Sequence, residues 1–595
     1  MRIPIRQSGA VGIVTDLPAH ELQPNAWSQG KNVKFRQGRV EKAKGYATLF
    51  GTPSVAPYWL LSAQTPTNTY WLYAGLLKAY VTDMIGGHFN ITRQQTTTIS
   101  TIATGNPTSI TTSAAHNIAS GDTVVIAGVT GNTPDINASH VATVTGSTTF
   151  TIPVNTTVAG TGGSVTADRN YAATADFIWN GGILGKIPVI NNGVDTPQMW
   201  NPIATGTRLA DLSNWPASTK ATVIRPFKTF LVALDITESS TRFPQMVRWS
   251  HPADPGAVPV SWDYTDTTRD AGRIELSETG DYLIDCLSMR DVNIVYKEKT
   301  AWAMQFIGGE FVFKFVQILR EGGAGILTRN CVASLPGYQH FVVTFNDVIV
   351  HDGTRMESVI DSKMRTSLFN AIDGTNVERV FVAAHYARDE MLVCIPQSGD
   401  SFSTLAFIWN YKQGQWTKYE LPGISYATAG VVDTGSSGVI DNDTGVIDND
   451  LSIIDEREYN PTISKLVMAQ PASTLIREYG TTEQQAGTNM TAYVERTGLS
   501  SEDYPPLSNT GVSKTVSEIW PRIRSSGSVN IYVGGQETPD GSVTWEGPRS
   551  FNPATDRKAD FRTSGKLIGV RFESTTDVSW ELDDYDIDFV EDGER

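Results

Sequence analysis

The chain has 595 residues, with 63 Asp and Glu against 47 Lys and Arg and a formal net charge of −16 at pH 7. An acidic balance of this size argues against a protein that grips nucleic-acid phosphates over a broad basic surface, but it suits a wall past which DNA slides. Charged residues make up 18% of the chain, while Thr, Ser, Gly, Asn and aromatics are abundant; this argues against disorder and points to a β-rich globular or particle-surface protein.

Residues 1–50 read as an extended segment. Asp16-Leu17-Pro18 and Leu22 to Trp27 are punctuated by proline and do not favour a helix. Asn32 to Glu41 reads as a hairpin turning at Gln37-Gly38. Lys31, Lys34, Arg36, Arg39, Lys42 and Lys44 cluster there. They form either a phosphate- or partner-facing patch or a solvated hairpin face, and the solvated face is the expectation.

Tyr58–Leu61 and Tyr70–Thr82 read as strands of a first blade. The texture then changes. Gln94 to Asp168 contains no Lys or Arg, and Thr, Ser, Gly, Val and Ala dominate. Alternating runs at Asp122–Val129, His140–Val144 and Thr149–Ile152 predict a compact inserted β module with its own small core, spanning 94–168.

From Phe177 to Pro422 short strand-like runs are turned back on themselves by Gly, Asn, Asp or Lys. The clearest is Leu405 to Leu421, in which Leu405, Phe407, Trp409 and Tyr411 share one face of a strand and Gln413-Gly414 reverses the chain. Upstream, Asp176–Ile190, His340–Asp352 and Val380–Pro396 each read strand, turn, strand. Phe227–Leu234 reads as a short strand after Pro226, and Tyr282–Phe306 as two strands around Lys297-Glu298-Lys299. Many hairpins without helical spacers predict an all-β fold. Its β-propeller-like core of antiparallel blades covers 51–93 and 169–510, with a C-terminal β-sandwich-like domain at 511–595.

Between core strands, GVIDND at Gly438–Asp443 recurs at Gly445–Asp450. Its Gly, Asn and Asp content forbids a stable helix, and the expectation is an exposed turn-rich ribbon rather than a cation loop.

The chemistry-bearing motifs are sparse. There is no GxxxxGK[ST], HExxH or GxSxG, and no two histidines stand at a metal-ligand spacing. His351 beside Asp352 reads as a satisfied or solvated histidine. Gly308-Gly309-Glu310-Phe311 spells the signature of nucleotide-cyclising domains but sits between two strands, where a hairpin turn explains it. Thr538 to Trp545 approaches the turn-forming Asp-box of sialidase propellers. Cys286, Cys331 and Cys394 are scattered and read as buried small hydrophobes in a chain folded under reducing conditions. The N-terminus lacks the apolar run of a signal peptide, so the sequon at Asn137 carries no weight, and no run reaches the length of a membrane span. No catalytic, cofactor-binding or metal-binding residue is assigned, no cofactor is implied, and the chain is not expected to be an enzyme.

Asp16-Leu17-Pro18, Leu22 with Pro24, Trp27, Asn32-Val33-Lys34-Phe35-Arg36, Gly38-Arg39-Val40-Glu41 and Gly45 follow one another within Thr15–Tyr46. This text resembles the opening of the tail nozzle proteins of short-tailed phages, also called tail tubular protein B or packaged-DNA stabilisation proteins. Trp409-Asn410-Tyr411 with Gly414-Gln415-Trp416, the IDND-type repeat and Pro539 to Trp545 extend the resemblance over most of the chain outside the insertion.

The resemblance implies a structural virion protein at the distal end of the tail, synthesised in the bacterial host cytoplasm. It implies a homo-oligomer, a hexameric ring, that extends the DNA channel, retains the packaged genome and opens for ejection. The implied partners are the tail adaptor ring, tail fibres or tailspikes, the host surface, and genomic DNA passing without sequence-specific binding. Two alternatives stay open: a carbohydrate-active propeller (tail depolymerase, sialidase-like enzyme or lectin), and a host-receptor adhesin whose Thr-rich module binds the receptor.

Overall fold

A computed structural model of the protein describes all residues except 67, 84–85, 177, 310, 320–324, 433–463, 500–510 and 595. The GVIDND repeat therefore lies outside the described residues. The chain divides into two compact units, Met1–Thr52 with Ile284–Arg595, and Pro53–Leu283.

In the unit Pro53–Leu283, three four-stranded antiparallel meanders follow one another. They begin at Trp59–Gln64, Asn180–Leu184 and Thr219–Phe227. Pro226 lies inside a strand rather than before one: the chain turns at Lys228-Thr229 and Phe230–Glu238 is the next strand. Proline is tolerated there because Thr219–Phe227 is an edge strand of its sheet, so no ladder hydrogen bond is lost on its outer side.

Between the first two meanders stands the inserted module. Its strand Gln94–Ala103 serves two sheets. On one side it pairs with Ser164–Asp168, which is followed by Thr123–Ala127 and Ser139–Val141. On the other it pairs with Thr108–Thr112, followed by Thr149–Ile152 and Thr143–Val144. A register shift between Ile99 and Thr101 marks the handover. Ile110, Val124, Phe150 and Ile152 are fully buried between the two sheets, while the intervening Thr and Ser face out. Burying each such side chain stabilises the module by about 1.5–3 kcal/mol.

The other unit contains four more meanders, beginning at Leu283–Met289, Val332–Leu335, Phe381–His385 and Tyr426–Val431. The last is completed from the far end of the sequence: Tyr46–Leu49 pairs with Leu475–Tyr479. These successive sheets, four-stranded except for the last, which two short strands extend to six, are the blades of a β-propeller-like core. Tyr282–Phe306 holds three strands rather than two, because the chain also reverses at Arg290-Asp291. Strand Ser403–Asn410 alternates as its sequence predicts, yet both faces are buried. Leu405, Phe407 and Trp409 enter one core, and Ala406 and Ile408 enter another.

The same unit carries the C-terminal sandwich. One sheet is built on the long pair Val512–Ser525 and Trp580–Glu594; the second contains Ala492–Leu499, Leu567–Ser574, Val529–Gln536 and Thr544–Phe551. The N-terminal segment belongs to it structurally. Arg2–Ile5 and the hairpin Val33–Arg36/Arg39–Lys42 extend the first sheet, and Gln29–Lys31 pairs with the second. Gln37 and Gly38 form the hairpin turn with positive φ at both positions, the conformation that matches strand twist. Trp27 is the buried anchor: it packs edge-on to Phe572, and its indole N–H donates to the Ser8 carbonyl at 2.6 Å.

Candidate functional site

The pleat of the N-terminal hairpin sorts its residues. Val33, Phe35 and Val40 point into the sandwich core, which leaves Lys34, Arg36, Arg39 and Glu41 on the opposite face. That face forms one wall of a cleft of about 770 Å³. The opposite walls are the turn Ala387–Glu390, the turn Asn410–Gln413, and the paired strand ends Arg524–Ser526 and Ser579–Glu581.

The floor is a buried ion pair. Lys34 Nζ lies 2.7 Å from Glu390 Oε1, with the two side chains 14% and 7% exposed. Burial pushes the Lys34 ammonium down, against the pull of Glu390. Burial alone would raise the Glu390 carboxyl, but Lys34 and His385 hold it at about 2. The Tyr479 ring sits 5.0 Å from the Lys34 ammonium.

Around this floor, charges are only partly matched. Lys412 pairs with Asp389 at 3.0 Å and Arg524 with Glu581 at 3.1 Å. Lys42 donates to the Thr576 carbonyl at 2.6 Å, and Arg388 to the Gly480 carbonyl at 2.6 Å. Arg36 and Lys44 are exposed, and their side chains make no hydrogen bond or ion pair among the described residues, although the Arg36 charge attracts Glu41. Glu41 stands directly across the strand pair from Glu581. Burial first, and then the Glu581 charge, hold the Glu41 carboxyl above its usual range.

The expectation of a solvated basic hairpin face is corrected here. Lys31 pairs with Glu420 at 2.6 Å and Arg39 with Asp583 at 2.7 Å, while Lys34 and Lys42 are largely buried. The six cations belong to a seam between the N-terminal strands and the rest of the unit. Only Arg36 and Lys44 remain open to solvent and unpaired. Sequence reasoning did not find Arg388, Glu390, Arg524 or Glu581 as members of the cleft. They come from segments hundreds of residues apart, and no local spacing joins them.

The other motifs resolve into structure. His351 is buried in a neutral chain of hydrogen bonds. The Gly353 N–H donates to His351 Nδ1 at 3.2 Å, so His351 carries its proton on Nε2 and donates to the Tyr296 hydroxyl at 2.7 Å. That hydroxyl in turn donates to His340 Nδ1 at 2.7 Å, and His340 Nε2–H donates to the Ser288 carbonyl at 3.1 Å. Burial pushes both imidazoles down to about 4. Gly308 and Gly309 take positive φ between strands Ala301–Phe306 and Phe313–Leu319. Thr538–Gly541 is a hairpin turn of the sandwich, closed by Gly541 N–H to the Thr538 carbonyl at 3.0 Å. The three cysteines are buried and free. The Asn137 amide is engaged on both sides with the Val129 backbone at 2.8 Å. Among the described residues, no cluster of His, Cys, Asp and Glu could hold a metal ion, and no helix is long and apolar enough to cross a membrane.

Comparison with known proteins adds little to this picture. No family model and no curated protein matches the chain. Among solved structures, it is similar to a putative exported protein from Bacteroides fragilis, at 10% identity and a TM-score of 0.25 over 43% of this chain and 77% of that one. It is likewise similar to Hsv2 from Kluyvelomyces marxianus, at 10% identity and a TM-score of 0.25 over 55% of this chain and 93% of that one. Similarity at this level carries no functional argument.

Proposed function

We propose that the protein is a structural virion component that forms the distal nozzle ring of a short phage tail. In this reading it is a homo-oligomer, a hexamer, seated on the tail adaptor ring beside the fibres or tailspikes. It extends the DNA channel, retains the packaged genome and opens for ejection, with genomic DNA passing its acidic wall without sequence-specific binding.

The observation that carries this reading is the use made of Thr15–Tyr46, the stretch on which the resemblance rests. Trp27, Asn32, Lys34 and Gly45 are the residues that bind the N-terminal segment into its unit. Asn32, at positive φ, donates to Glu420 and to the Thr491 carbonyl, and accepts from the Glu420 N–H at 2.9 Å. A Cβ on Gly45 would stand 1.9 Å from the Gln484 carbonyl oxygen. These are the requirements of a stiff β scaffold, and they support a part whose work is mechanical. Purified protein should form closed rings in negative-stain images and co-purify with adaptor rings. Persistence as a monomer at virion-like concentrations, with no adaptor association, would count against the proposal.

The carbohydrate-active alternative has one specific observation in its favour. Glu41 and Glu581 stand opposite each other across a strand pair in the cleft, a pair of carboxyl groups of the kind glycoside hydrolysis uses, and burial holds the Glu41 carboxyl above its usual range. Release of reducing sugar from host polysaccharide, lost in Glu581→Gln, would favour that reading.

A further inference from the structure

We infer that the cleft beneath the N-terminal hairpin is a binding site for a multivalent oxyanion of the phosphate class, held by Arg36, Lys44 and Arg388. The inference rests on the cleft alone and not on the nozzle reading.

Three observations support it. First, the charge of the cleft runs against that of the chain. Seven basic and five acidic side chains line it, in a protein with a net charge of −16. Second, the acids are largely committed. Asp389, Glu390 and Glu581 each have a cation of the cleft within ion-pair distance. Arg36, Lys42, Lys44 and Arg388 have no carboxylate that close among the described residues. Of the two remaining acids, Glu483 attracts Lys42 and offsets one charge, and burial beside Glu581 disfavours the charged form of Glu41. Third, the floor cannot rearrange to neutralise the excess, because Lys34 and Glu390 are locked to each other and burial of Lys42 already disfavours its charged form.

The chemistry of the three cations selects the ligand class. Two guanidinium groups present paired N–H donors that match two oxygens of one phosphoryl group, and the Lys44 ammonium acts as a point charge beside them. A cleft of about 770 Å³ lies within the range of small-ligand sites and is too large to be filled by one tetrahedral anion. Linked phosphoryl groups, or a phosphoryl group carried on a sugar, would fill it. The same chemistry is offered by free polyphosphate and by the phosphorylated sugar headgroups of bacterial surface lipids.

Calorimetric titration of the full chain tests this at low and moderate salt. The ligands are pyrophosphate, glucose 1-phosphate and glucose. The variant Arg36→Gln/Lys44→Gln changes only exposed side chains that make no hydrogen bond or ion pair among the described residues, so its melting temperature should stay close to that of the parent. Pyrophosphate should bind, its Kd should rise with salt, and the variant should weaken binding by at least about tenfold. Saturation by glucose 1-phosphate at lower concentration than pyrophosphate would identify a phosphorylated sugar as the source, and the reverse order would identify free polyphosphate; either supports the site. No heat with both phosphate ligands, equal binding by the variant, or glucose binding as tightly as its phosphate would overturn the inference. A second variant, Arg388→Gln, keeps a donor for the Gly480 carbonyl but loses the charge, and should weaken pyrophosphate in the same direction.

Discussion

The inserted module and the seam around the N-terminal hairpin are stabilised in opposite ways. The module draws all its strands from Gln94 to Asp168, an interval without Lys or Arg, and closes them over a core of Ile, Val and Phe. The seam joins residues 2–42 to segments lying between Glu390 and Glu594 and buries cations to do so. Arg496 is an example: its fully buried guanidinium donates to the carbonyls of Ala19, Leu22 and Thr497, and burial lowers it to about 10. The contrast teaches that local closure can be built from apolar burial alone. Long-range closure here depends on hydrogen bonds and ion pairs that only one register satisfies.

The sharpest way to break that contrast is Lys34→Met. It leaves Glu390 buried without its cation and should destabilise the hairpin's unit by about 4 kcal/mol. The double variant Lys34→Met/Glu390→Met should recover most of the loss. Denaturant unfolding measures both, and a neutral single variant would mean the seam does not depend on the pair.

Next in size is acid. His340 and His351 ordinarily titrate near 6.5 and are held near 4 in the fold. The unfolded chain therefore binds more protons between these values. The stability the pair contributes is complete above 6.5 and disappears as pH falls towards 4, at about 3 kcal/mol per ring. His351→Gln should flatten the profile; an unchanged slope would show that the imidazoles are not the titrating groups.

Asn32→Ala removes three hydrogen bonds at a left-handed residue and should cost about 3 kcal/mol. Ile110→Val in the module should cost about 1 kcal/mol. Amide exchange should confine the Ile110→Val change to Gln94–Asp168, whereas Asn32→Ala should loosen strands at both ends of the sequence. Spreading of the Ile110→Val effect beyond the module would erase the distinction between the two regions.

The same division decided what could be read from sequence. The module was legible because its composition, turns and alternation are local, and so was the hairpin, because Gln37-Gly38 marks its turn. Leu405, Phe407 and Trp409 announced a strand, but not that Ala406 and Ile408 would be buried opposite. Arg290-Asp291 was missed as a turn because the positive φ falls on Arg290, a residue that does not announce one, with only Asp291 as a turn-forming neighbour. The membership of Arg2–Ile5 in the C-terminal sandwich was hidden for a simpler reason: strand pairing leaves no mark on spacing when partners lie more than five hundred residues apart. The cleft was half visible, as a basic cluster whose acidic counterparts could not be assigned.

The central claim is that stiff β subunits close around an opening through which DNA passes. Averaged electron-microscopy images of the purified protein, supported by sedimentation mass, test it most directly. The account predicts six-fold rings with a central hole. Single subunits that release sugar from host polysaccharide, with no ring under any condition that preserves the virion tail, would contradict it.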